Sequence, residues 1–201
     1  MRGLLYEYGI TVRGGRRAGL KQIRETMAEL ENRVPSILFH AITEQLQRIA
    51  TLDEDIQGVE RRMTSWFKQD DACRAIADIP GVGLLTATAL VATLGDANAF
   101  KSGREFAAFI GLVPKQKGTG GVVKLGSITK RGDPYLRTLL IHGARAVAFT
   151  AKNKSPWVES LLERRPTNVA VVAMANKTAR TAWAIVAYGR QYDGGYMSMA
   201  A

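Results

Sequence analysis

The residues best able to do chemistry lie in the middle of the second half of the chain. Between Lys115 and Arg145 there are seven cations, Lys115, Lys117, Lys124, Lys130, Arg131, Arg137 and Arg145, against the single acid Asp133. Glycines interleave with them in Gly118-Thr119-Gly120-Gly121 and Gly126-Ser127. Glycine lets a phosphate approach the backbone closely, and the cations neutralise it and release its counterions. The chemistry implied is phosphate binding; the plainer reading is a solvated basic loop. A second constellation, Ile79-Pro80-Gly81-Val82-Gly83, has the form of a helix-hairpin-helix corner. The hairpin amides and the N-terminus of the following helix can hold a phosphate oxygen without reading a base, with Gly81 and Gly83 leaving the backbone bare. An ordinary tight turn between helices also uses glycine.

The bulk composition agrees with a polyanionic partner. The 201 residues carry 28 Lys and Arg against 18 Asp and Glu, a formal charge of +10, which favours DNA, RNA or an acidic membrane as partner. Their 46% hydrophobic content is enough for one domain with an extended element or for two small domains. Cys73 is the lone cysteine, so one chain can build neither a disulfide nor a cysteine-based metal cluster. No apolar run reaches membrane-spanning length and the first residues lack the order of a secretory signal. The expectation is a cytoplasmic protein with no membrane partner.

The elements that position these residues read as mainly α: a long coiled-coil helix, then a helical domain with the helix-hairpin-helix motif and a Gly/Lys-rich loop or short hairpin. Ile42, Ile49, Ile56 and Met63 recur every seventh residue, with Leu52, Val59 and Trp66 as companions. This heptad seam predicts a coiled coil over residues 35–70 that pairs two chains; a long amphipathic helix folded on its own domain needs a similar stripe. Asp53-Glu54-Asp55 reads as a solvated helix face, not a metal site. Ahead of it, Gly14-Gly15-Arg16-Arg17 reads as a turn into a helix over residues 20–30. Two short helices flank the Ile79–Gly83 corner. Ser102 and Glu105 have capping-box spacing, residues 111–132 form the loop or hairpin, and Asp133-Pro134 opens a helix as cap and first-turn residue. Further helices are expected over 156–164 and 168–188. The domains expected are 1–34, 35–70, 71–190 and a flexible tail, 191–201.

Several separate blocks then occur in the order of a known family. Ile79-Pro80-Gly81-Val82-Gly83 and the run from Phe106 through Gly111-Leu112-Val113-Pro114 come first. Gly120-Gly121, Gly126-Ser127-Ile128-Thr129-Lys130-Arg131-Gly132-Asp133 and Tyr135-Leu136-Arg137 follow, then His142-Gly143-Ala144-Arg145 and Asn176-Lys177-Thr178-Ala179-Arg180 with Trp183. Together they resemble the C-terminal domain of the insertion-sequence transposases that carry a RuvC-like DEDD nuclease at their N-terminus, recombinases described as guided by a bridge RNA. The resemblance is strong from Asp71 to Tyr188 and looser before.

The resemblance implies a composite active site, in which the RuvC-like domain supplies metal-binding carboxylates and a serine in the glycine-rich loop is the nucleophile that joins DNA. The chain begins where that nuclease domain would be ending, so residues 1–34 are expected to be its remnant and linker, and none of its acids carries over. No metal site or cofactor is expected in this chain; Mg2+ is expected only with the nuclease domain. Where the family has serine before the paired glycines, Gly118 and Thr119 stand, leaving Thr119 as the candidate nucleophile or as a hydroxyl bonding locally. The expected phosphate contacts are Gly81, Gly83, Lys115, Lys117, Lys124, Lys130, Arg131 and Arg137. The function implied is the DNA-binding part of a transposase, incomplete for catalysis alone, with DNA, a guide RNA and a second copy of itself as partners. The alternative is a non-enzymatic regulatory fragment that dimerises with a full-length transposase.

Overall fold

The structure is a computed structural model that describes residues 1–119 and 122–195, with residues 119, 122 and 123 described by backbone only. Gly120-Gly121 and the end of the expected tail, 196–201, lie outside the described residues. The described chain is mainly α, with ten helices and one two-stranded antiparallel ribbon. It divides into two compact units, Met1–Arg62 and Met63–Ala201.

In the first unit, α1 (Arg2–Glu7), α2 (Arg16–Glu25) and α3 (Met27–Arg33) lead into α4 (Ser36–Gln69), whose 34 residues run on into the second unit. The helix expected over 20–30 is two helices. Thr26 turns its hydroxyl back onto the carbonyls of Gln22 and Ile23, satisfying itself in a way that bends helices. The core of this unit joins Leu5, Ile23, Leu30 and Val34 to Ile42 and Leu46 of α4. Ile42, the first residue of the heptad series, is therefore buried within its own chain. Leu52, Ile56 and Val59 further along α4 are each about half exposed, and Trp66 is 42% exposed. Asp53, from the acidic cluster, pairs with Arg16 of α2 at 2.6 Å. Among the described residues no group of His, Cys, Asp or Glu is arranged to hold a metal ion, and no helix is long and apolar enough to cross a membrane.

The second unit winds around α10 (Thr167–Tyr188). Its small residues, Ala170, Ala175, Ala179 and Ala182, are buried at roughly helical spacing and let neighbours come close. Against it pack α5 (Asp71–Ala77), α7 (Gly103–Phe109), α8 (Pro134–Thr150) and α9 (Pro156–Arg164), while α6 (Leu84–Leu94) packs on α5 and α8. The caps expected at Ser102 and Asp133 are present, and the structure adds a third at Asp70. Asp70 accepts from the Cys73 amide, Ser102 from that of Glu105, and Asp133 from that of Tyr135, each satisfying an orphan donor of a first turn. Trp183 donates its indole N–H to the Ala97 carbonyl at 3.0 Å across the buried core. Burial and the neighbouring Asp70 push the Cys73 thiol up to about 12, so it is protonated and unreactive at neutral pH.

Candidate nucleic-acid interface

The Gly/Lys-rich stretch is a hairpin, β1 (Pro114–Thr119) paired with β2 (Val122–Ile128). The register places Lys117 directly opposite Lys124, with Gln116 opposite Leu125. A register shift next to Pro114 leaves Lys115 beside Gly126, where an added Cβ would stand 3.8 Å from that of Lys115. Since side chains alternate across a strand, Lys115, Lys117 and Lys124 share one face. Like charges directly opposite repel, at a cost of up to about 1 kcal/mol. Among the described residues no carboxylate pairs with these three lysines, nor with Lys130 or Arg131. On the opposite face Leu125 is 66% exposed.

A free two-stranded ribbon is marginal in water, and this one is held at its foot. The Thr129 amide donates to the Val113 carbonyl and that of Lys130 to Gly111. Asn176 of α10 donates to the Leu112 carbonyl at 3.1 Å. Arg137 Nη1 donates to the carbonyls of Ile110 (2.8 Å) and Arg131 (2.9 Å), clipping both legs together. Gly111 and Gly132 both have positive φ, and a Cβ on Gly132 would overlap the Phe109 carbonyl oxygen. Glycine is required here so that backbone can meet backbone. Lys130 also lies in the left-handed region, at φ 57°. The Thr129 hydroxyl is buried there with no hydrogen-bond partner among the described residues.

The helix-hairpin-helix corner separates its two glycines by role. Gly81, at φ +85°, packs on α8, where a Cβ would lie 2.5 Å from the Gly143 carbonyl oxygen. The missing side chain of Gly81 thus makes room for the α8 backbone, while the residue itself stays exposed. Gly83 is the exposed N-cap of α6, with open space where a Cβ would be. The first intrahelical bond of α6 runs from Ala87 to Gly83, so the amides of Leu84 and Leu85 have no acceptor within the helix. Corner and ribbon foot are both tied to α8, at Gly143 and Arg137, roughly 9 Å apart along the helix axis at its ordinary rise.

Of the residues singled out in the sequence, the structure gathers Lys115, Lys117 and Lys124 on one ribbon face and sets Lys130 and Arg131 at its foot. It gives Arg137 to the clip. The Thr119 backbone closes the ribbon opposite Val122; its side chain, like Gly120-Gly121, lies outside the described residues. Two aromatic residues escaped the sequence reading: Phe109 and Tyr135 flank the foot in sequence and are 50% and 56% exposed. The available signal for Phe109 was that it falls off the stripe of Phe106, Ala107 and Ile110.

Residues 73–160 match the model of the transposase IS116/IS110/IS902 family. A Pseudomonas aeruginosa protein named "Probable family 20 transposase" is 42% identical over 200 residues, 97% of this chain and 59% of that protein. The transposase for insertion sequence element IS1111A of Coxiella burnetii is 40% identical, over 97% of this chain and 55% of its own length. The transposase for element IS1328 of Yersinia enterocolitica is 36% identical, over 96% and 58%. The chain thus spans between half and three-fifths of the length of these relatives. Nearly the whole chain is thus similar to a part of these insertion-sequence transposases, and residues 73–160 carry the match to the IS116/IS110/IS902 family.

Proposed function

We propose that the second unit grips the DNA backbone during transposition, as the DNA-handling part of a transposase that needs a further domain to complete catalysis. The observation that carries this reading is the lysine face of the ribbon, with Lys117 set directly against Lys124. A phosphate between the two turns a mutual repulsion into two attractions, so the arrangement is more stable bound than free. The amides of Leu84 and Leu85 beyond Gly83 add oriented donors for a second phosphate. Neither set reads bases, so the grip fixes position rather than sequence.

The remaining parts of the reading rest on the family resemblance and on α4. Thr119 is the hydroxyl nearest the glycine pair and the candidate nucleophile, needing activation as any alcohol does. Carboxylates and Mg2+ come from a RuvC-like nuclease domain and not from this chain. A guide RNA presents the same phosphate chemistry to the ribbon as DNA does. Two copies pair through the exposed Leu52, Ile56, Val59 and Trp66 of α4, and the protein works in the cytoplasm where its DNA lies.

The test is duplex binding as a function of salt for the whole chain and for a Lys115→Gln, Lys117→Gln, Lys124→Gln triple variant. Affinity should fall steeply with salt, and the variant should flatten the log–log slope by about 0.9 per lost phosphate contact. An unchanged slope in a folded variant overturns the ribbon as the gripping surface.

A further inference from the structure

We propose that Phe109 and Tyr135 form a stacking site for an unpaired DNA base, with Lys130 and Arg131 holding the phosphates beside it. This rests on the backbone-gripping reading and adds a substrate class to it: DNA with an unstacked nucleotide. The starting point is two large aromatic side chains left half exposed although their burial is favourable. Phe109 is the last residue of α7 and Tyr135 the second of α8. The ribbon foot sets Gly132, three residues before Tyr135, against the Phe109 carbonyl, and Arg137 clips Ile110 to Arg131.

Phe109 is held in place from behind. Its ring lies tilted against Phe100 at 5.3 Å, and Phe100 meets the buried Phe106 edge-on at 5.1 Å. Tyr135 is fixed through its amide, which donates to the Asp133 carboxylate at 2.7 Å. That cap also engages the one acid of the segment. The exposed cations Lys130 and Arg131 fall between the two rings in sequence, without a carboxylate partner among the described residues. Positioned aromatic faces beside cations are what a single strand requires: every base has a face that stacks whatever its identity, and phosphates follow the charge. A paired base is already stacked on both sides and gains nothing. DNA is the source because the relatives are named as transposases for insertion sequence elements.

The experiment uses the whole chain and two DNA probes of one sequence, a perfect duplex and a duplex with a short unpaired bubble containing 2-aminopurine, with a single-stranded RNA as a third probe. The wild type should prefer the bubble and quench its fluorescence. A Phe109→Leu, Tyr135→Leu double variant, checked for an unshifted thermal melt, should lose about tenfold on the bubble and hold the duplex within about twofold. Tyr135→Phe, which keeps the ring, should bind the bubble like the wild type. Equal losses on both probes, or an unaltered bubble affinity and quench, overturn the stacking site while leaving duplex gripping intact. Loss confined to single-stranded RNA with the DNA bubble unaffected overturns the choice of DNA. A wild type that binds neither probe overturns both readings together. Should the double variant melt early, Tyr135→Leu alone is decisive: full retention of bubble binding and quench overturns the site.

Discussion

The corner at Ile79–Gly83 and the ribbon at Pro114–Ile128 look alike as sequence, each a turn with glycines that bare the backbone. The structure makes them opposites. At the corner there is no cation, one glycine is consumed by packing on Gly143, and what is offered is a pair of amides at the start of α6. On the ribbon three lysines share a face. Amides fix the direction of a phosphate and lysines supply the long-range, salt-sensitive attraction. Orientation and attraction therefore sit on different elements, both tied to α8.

The largest test of this contrast is Gly81→Val against Gly83→Val. Gly81 combines a positive φ with a clash against the Gly143 backbone, so its replacement should destabilise the second unit by about 3 kcal/mol or more. Gly83 has an extended backbone, φ −102° and ψ −175°, and open space in place of a side chain. Its replacement should change stability by less than about 1 kcal/mol while weakening DNA binding with the salt slope kept. Chemical denaturation and a binding isotherm check the pair. Equal destabilisation by both variants would erase the difference in role.

Next in size is Arg137→Met, which removes the clip at the ribbon foot. A charged donor satisfying two carbonyls in a half-buried place contributes about 1.5–3 kcal/mol. Affinity for DNA should fall because the ribbon loses its anchor, yet the salt slope should stay as it was. A slope reduced by about 0.9 would instead show Arg137 neutralising a phosphate itself. Amide exchange at Lys130, whose N–H is bonded to Gly111, reads the loosening independently.

Much of this was legible in the residues. Helix ends with strong local chemistry were, because Ser102 and Asp133 cap through their own side chains and Pro134 suits a first turn. The helix over 156–164 was expected with the bounds it has. The break at Thr26 was not, since it depends on a hydroxyl turning back onto the helix. The heptad stripe was read correctly as a helix, with pairing of two chains and burial in its own domain both left open; Ile42 shares a core with Leu30 of its own chain, and its spacing is the same in either case. For the candidate site, the cations were visible as charge, while the pairing of Lys117 with Lys124 needs a register that alternation alone does not fix. The split between Gly81 and Gly83 was invisible for a similar reason, because only the position of Gly143 tells a packing glycine from an open one.

The smallest effect concerns the ribbon alone and has an unusual sign. Most substitutions destabilise, but Lys117→Gln removes one of two like charges set directly opposite each other and leaves a long polar side chain on an exposed strand. The folded chain should be as stable as before or more so, by up to about 1 kcal/mol in low salt, with the gain vanishing as salt rises. Its DNA affinity should fall at the same time. Stability and binding moving in opposite directions is the signature of a face built for an anion; the corner, where Gly81→Val lowers stability directly, cannot produce it. Thermal melts of Lys117→Gln and wild type across a salt series measure it, and a loss of stability at low salt would mean that Lys117 is held by the chain itself instead of being kept for a phosphate.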